Sequence, residues 1–251
     1  MGKVKPKRKS TLIDMTAMSD VTVLLLTFFM LTSTFLAKEP VTVITPSSVQ
    51  EKKVPVENVA TILVGTTQGT DGKEKAHIFM SILGAADEEN ADAWGTKAVK
   101  RNALQNAATE YEKYTGKSTG ITSSDLDKFA ELNSVGVPLA QMHEFLQLKV
   151  EKQDEFQDPT KNPNIGIPMD EIVFTNADGS KEITNEFRIW MRAINNAGNP
   201  QLSDAIKGGE GIAVKADKDT KYETMHQILN DLQTIKMNRF SVMTALKTEN
   251  D

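Results

Sequence analysis

The sequence predicts an α/β protein: one N-terminal membrane-spanning helix, then an α/β sandwich, with one sheet and helices on one face, that carries a helical insertion. Three observations predict it. A basic tail is followed by a long apolar run. Strand-like and helix-like segments with short connections alternate over the second half, the pattern of a sheet covered by helices. A stretch near the middle, 87–165, reads as helix after helix and interrupts that alternation.

The first element is the tail, 1–14, with Lys3, Lys5, Lys7, Arg8 and Lys9. Val21 to Ala37 then reads VTVLLLTFFMLTSTFLA, without an ionisable group. Such a run forms only about 25 Å of helix, short of a hydrocarbon core of ~30 Å. Extending it back to Met15 gives a span over 15–37 of roughly 35 Å, and draws Asp20 into the membrane. An ionised carboxylate there costs about 2.5–3.5 kcal/mol, avoided by protonation or by facing a polar cavity. Asp20 is therefore the candidate proton carrier. Thr16 precedes it and Thr27 and Thr34 follow it at helical spacing, so that the four form one polar stripe. Threonines that merely bond back to their own backbone are the alternative reading of the stripe. A cleaved signal peptide fits less well, because the apolar run is long and no small residue stands two before Ala37. The cations place the N-terminus in the cytoplasm and the rest in the periplasm of a double-membraned cell, or outside a single-membraned one.

Charge differs between the two sides. Of 29 Lys+Arg and 34 Asp+Glu, the tail holds five cations, and Asp14 and Asp20 lie before Lys38. That leaves 24 against 32, a net of −8, in the soluble region, which argues against nucleic-acid binding. No cysteine is present, so neither disulfide nor thiol chemistry is available.

Residues 38–56 contain three prolines and few large apolar groups, and read as an extended linker. The soluble domain, 57–251, opens with a strand at 59–64, a polar turn at 65–75 and a hairpin partner at 77–83. Within 87–165, helical segments fall near 96–114, 123–134 and 138–150, and Pro, Asn and Gly dominate 158–168. Phe187, Trp190, Met191 and Ile194 share one face of a helix over 183–194, with Thr184 as its N-cap. A strand at 212–216, a helix at 220–234 and a strand at 239–246 complete the plan. An insertion of this kind is expected to be removable without unfolding the remainder.

Catalytic signatures are missing. His77, His143 and His226 fall in different predicted elements with no ligand spacing, so no metal is implied. Asp217-Lys218-Asp219 lacks the Gly and downstream Glu of a calcium loop and reads as a turn. No phosphate loop or nucleophile motif appears, and no cofactor is called for.

The segment Leu12-Ile13-Asp14-Met15-Thr16-Ala17-Met18-Ser19-Asp20-Val21, followed by LLLTFFML, resembles the N-terminal signature of the ExbD/TolR biopolymer transport family. Val41-Thr-Val-Ile-Thr-Pro-Ser-Ser48 is similar to that family's short extended segment. Gly211–Lys218 with Thr220–Leu232 resembles its strand and helix, and 236–246 its last strand. The resemblance covers about 1–50 and 170–251; Ala17 stands where the family usually has Pro. It implies that Asp20 carries protons, and that Thr16, Thr27 and Thr34 face the pore. It further implies that a homodimer sits in the bilayer within a ring of ExbB-like subunits. Driven by the proton motive force, such a motor would energise a TonB-like protein for outer-membrane transport, without being an enzyme. TolR-like relatives instead act on the envelope and contact peptidoglycan. A gliding-type stator, and a membrane-anchored periplasmic binding module in which Asp20 is incidental, are the other readings.

Overall fold

The computed structural model describes residues 15–32, 39–41, 43–48, 55–68, 74–85, 91–176, 178–243 and 245–246. They form two compact units, 1–38 and 39–251.

Within the first unit, helix α1 runs from Met15 to Thr32. Nothing within it breaks a helix, and its threonines at 22, 27 and 32 return their hydroxyls to backbone carbonyls three or four residues back. Eighteen residues give about 27 Å of helix. No helix among the described residues is long and apolar enough to cross a membrane. Residues 33–37 of the expected span lie outside the described residues.

The second unit contains, in chain order, β1 (Ser47–Ser48), β2 (Val59–Gln68), β3 (Glu74–Leu83), α2 (Ala91–Trp94) and α3 (Thr96–Thr115). Next come α4 (Ser123–Glu131), α5 (Leu139–Gln147), α6 (Val150–Phe156), β4 (Ile172–Thr175) and β5 (Lys181–Thr184). It ends with α7 (Glu186–Asn195), α8 (Pro200–Gly208), β6 (Ile212–Ala216), α9 (Tyr222–Thr234), β7 (Ser241–Val242) and β8 (Ala245–Leu246). The central sheet has the order β3-β2-β6-β7 and is mixed: β2 pairs antiparallel with β3 and parallel with β6, and β6 pairs parallel with β7. Two small ladders stand apart, β1 with β8 and the hairpin β4–β5.

The strand pattern follows burial on both faces. Ala60, Ile62 and Val64 alternate with Leu63 and Gly65 along β2, and all are buried, so the run reads as continuously apolar rather than alternating. Beside β3, Val135 exchanges backbone hydrogen bonds with Met80, which extends the ladder by one short edge segment. Gly136 is required there, because a Cβ would stand 2.2 Å from the ring of Phe79.

The segment 87–165 is not an appendage. A parallel pair such as β2–β6 needs a long crossover connection, and everything from β3 to α8 lies in that connection. Val99, Leu104, Phe129, Val137, Met142 and Phe145 from this segment belong to the same buried cluster as Ile62, Met80, Trp190 and Val214. Phe129 of α4 stacks on Trp190 of α7, with centroids 5.7 Å apart and planes 17° apart. The expectation that the segment can be excised therefore meets a core it helps to build.

Several boundaries differ from expectation. Asn185, not Thr184, caps α7, accepting a hydrogen bond from the Arg188 amide; Thr184 instead ends β5. The helix expected over 138–150 is two, α5 and α6, separated at Leu148, whose backbone is extended. The last strand is broken into β7 and β8. The linker is partly structured: 39–41 and 43–48 lie against the domain.

Candidate functional site

In α1, the only ionisable side chain is Asp20. Thr27 stands seven residues on, two turns away and on the same face. Thr16 occupies the helix position one turn before Asp20, but its side chain lies outside the described residues, as does the whole of Thr34. The structure thus brings Asp20 and Thr27 onto one stripe. Thr27 donates its hydroxyl to the Leu24 carbonyl at 2.9 Å, so it needs no outside partner. Asp20 is exposed, and among the described residues no group bonds its carboxylate.

The other faces of α1 are apolar. Val21, Val23, Leu24, Leu25, Leu26, Phe28, Phe29, Met30 and Leu31 are all more than half exposed. A helix with so much exposed apolar surface is stable only where lipid or protein covers those faces. An unpartnered carboxylate there either takes up a proton or finds a polar cavity.

The polar groups of the second unit serve architecture. Glu186, 4% exposed, sits in the first turn of α7 and accepts a hydrogen bond from the Leu139 amide at 2.5 Å. Leu139 begins α5, whose N-cap is Pro138 and supplies no side-chain cap, so Glu186 caps a neighbouring helix as well as entering its own. Burial pushes its carboxyl up to about 7, against the opposing pull of the Leu139 amide. Burial also raises the Tyr111 hydroxyl, and the nearby Glu186 adds to that rise.

Asp231 of α9 binds Arg188 through Nε at 2.9 Å and through a terminal nitrogen at 2.7 Å, and accepts from Asn185 Nδ2 at 2.6 Å. This ties α9 to the capped start of α7. Arg192 reaches Glu110 and Thr184, tying α7 to α3 and β5. Asp125 forms a capping box with Thr122 and bonds His143 and Gln147 across to α5. The Thr122 and His143 bonds hold its carboxyl below the usual range, although burial works the other way.

The histidines are spread out, and no group of three or more metal-binding side chains occurs among the described residues. His77 is buried on β3. Its Nδ1 lies 2.6 Å from the Ile165 carbonyl, which only accepts, so Nδ1 carries the proton and Nε2 accepts from Thr67 Oγ1 at 2.7 Å. Burial holds its pKa below the ordinary histidine value, and the Lys75 charge adds to that. Asp217-Lys218-Asp219 is a turn, with the Asp219 amide donating to Asp217 Oδ1.

A surface cleft of about 320 Å³ is lined by Asn195, Ile206, Lys207, Lys236, Met237 and Arg239, among others. It lies where the C-terminal ends of α7, α8 and α9 meet. Cations at those ends offset the negative poles of the helix dipoles, which accounts for the basic lining without a ligand.

The sequence reasoning singled out Asp20 from its context and did not single out Asn185, Glu186 or Asp231. A signal for the first two was present: an Asn followed by Glu just before an apolar helical repeat is a helix-start pattern.

The chain matches the family model described as Biopolymer transport protein ExbD/TolR over residues 6–247, and it belongs to that family. The match runs through the 87–165 segment. No curated protein and no solved structure matches the chain. Membership implies a role in the energy transduction of biopolymer transport; the family is membrane-anchored, is not known for enzymes, and generally works with ExbB-like and TonB-like partners.

Proposed function

We propose that this chain is a proton-driven motor subunit of an inner membrane, single-pass, with its N-terminus in the cytoplasm and its 39–251 unit in the periplasm. A pair of chains sits within an ExbB-like ring. Proton passage through Asp20, along a stripe with Thr16, Thr27 and Thr34, drives movement that energises a TonB-like protein for outer-membrane transport. The observation that carries this reading is Asp20 itself: one carboxylate, without a partner among the described residues, on a helix whose described large side chains are otherwise apolar and exposed. Family membership supports the same role.

The thermodynamics are sufficient. Each elementary charge crossing the membrane releases about 2.3 kcal/mol per 100 mV. Asn at position 20 keeps the shape and hydrogen-bonding capacity but cannot exchange a proton. Asp20→Asn is therefore expected to abolish uptake of a substrate that needs a TonB-like partner, while the ring complex is recovered in normal yield. Normal uptake would remove Asp20 as the proton carrier. Normal uptake with loss of envelope integrity when the chain is deleted would redirect the reading to TolR-like work on peptidoglycan.

A further inference from the structure

We infer that residues 39–41 and 43–48 form a detachable strap, whose docking on the rest of the 39–251 unit sets the length of the tether between α1 and the sheet. Four contacts hold it. Val41 is buried over β2, where Gly65 leaves it room: a Cβ on Gly65 would stand 2.1 Å from Val41 Cγ2. Glu39 makes a two-pronged ion pair with Lys215 of β6, at 2.8 and 2.7 Å. Ile44 accepts from the Lys218 amide at 2.8 Å and donates its own amide to Asp217 Oδ2 at 3.3 Å. Ser47 and Ser48 pair parallel with Ala245 and Leu246.

These contacts are of the kind that release without unfolding the domain. The buried apolar anchor is one valine; Val43 is only partly buried, and Ile44 is 56% exposed. The Glu39–Lys215 pair is half in solvent on the Glu39 side, 45% exposed, and such pairs hold weakly. The β1–β8 ladder is two residues long and separate from the central sheet. By contrast β2, which follows, pairs with β3 along its whole length and with β6 on its other side from Ala60 to Val64. A boundary between weak and strong attachment therefore falls between the strap and Val59.

The consequence is mechanical. Seven residue steps separate Thr32, the end of α1, from Glu39, about 25 Å at full extension. With the strap released, twenty-seven steps separate Thr32 from Val59, about 95 Å. Docking thus shortens the reach of the sheet about fourfold, and pulling on the linker removes the strap before it disturbs the core.

The chain has no cysteine, so a lock is clean. A Cβ at position 65 would lie 3.0 Å from Val41 Cβ, within a small shift of the ~3.5–4.5 Å that a disulfide takes. In the full chain in membranes, Val41→Cys with Gly65→Cys should lose energy-coupled uptake when oxidised and regain it on reduction, with Val41→Cys alone active. Full uptake by a completely oxidised pair would overturn the strap. A second measurement does not depend on the proposed motor role. Hydrogen exchange of the full chain should be at least about tenfold faster at the Ile44 and Lys218 amides than at Ile62 and Val64 in β2. Equal rates would also overturn it, whatever Asp20→Asn does to uptake.

Discussion

Replacing Glu186 by Gln should flatten the pH dependence of stability of the 39–251 unit. Glu186 is 4% exposed, its Oε1 accepts one hydrogen bond from the Leu139 amide, and burial raises its carboxyl to about 7. In the unfolded chain a glutamate titrates near 4.3. The folded state therefore binds the proton more tightly than the unfolded one. Stability from this group is fully present below pH ~4.3 and falls as pH rises to about 7, then levels off. A gap of about 2.7 pH units corresponds to about 4 kcal/mol, or a fall of roughly 8–16 °C in Tm for a domain of this size. Gln preserves the acceptor for Leu139 and cannot ionise. Its amide brings an added donor into a buried site, which costs about 1–3 kcal/mol at every pH if it finds no partner. The informative quantity is thus the slope rather than the level. His77, buried and neutral, gives stability of the opposite pH sense, lost as pH falls. It is present in both proteins and cancels in the difference. Urea denaturation of both at half-unit steps from pH 4.5 to 8 is the assay. Parallel profiles would refute the argument that Glu186 is the group titrating inside the fold.

Further outcomes follow from the same structure. Arg188→Met should cost about 3–5 kcal/mol in urea denaturation, because Asp231, 3% exposed, would be left buried without its charge partner; a loss below about 1 kcal/mol would count against a buried pair. Excising 87–165 with a Gly/Ser joint should abolish cooperative thermal unfolding of the 39–251 unit, since Phe129, Met142 and Phe145 would leave the shared core; a sharp transition in calorimetry would show a self-sufficient sheet. Asp20→Asn should stop energised uptake with the complex intact, read by transport and by complex yield in the same cells.

Local patterns explain what was legible beforehand. The hairpin β2–β3 stood out because a β-branched run meets a Gly/Thr-rich turn and a second apolar run. Helix α7 stood out because its apolar residues repeat at helical spacing, and the helices at 96–115 and 123–131 emerged close to their expected limits. The α8 helix was missed, although Asn199 caps it and Pro200 opens it, because its nine residues carry only Leu202 and Ile206 as buried anchors. The β4–β5 hairpin was missed for a similar reason: Val173 and Ile183 face solvent, so no alternation pointed to a core.

By itself the sequence determined the tail, the apolar helix with its one carboxylate, the family, and the mixture of strands and helices that makes the domain α/β. Those rest on spacing and composition within a few turns of chain, which a linear reading contains. Tertiary structure alone decided that 91–165 is part of the core, that 39–41 and 43–48 lie against the sheet, and that Glu186 caps α5 from α7. Each depends on residues 47 to 176 positions apart meeting in space. The β2–β6 parallel pairing sets those meetings, because it draws the whole crossover over the sheet. Gly65 and Gly136 illustrate the difference. In sequence they look like turn formers; in the fold Gly65 is a β2 position left bare for Val41, and Gly136, next to the Val135 bridge, is left bare for Phe79. Which residue would occupy that space is fixed only when the partner segment arrives.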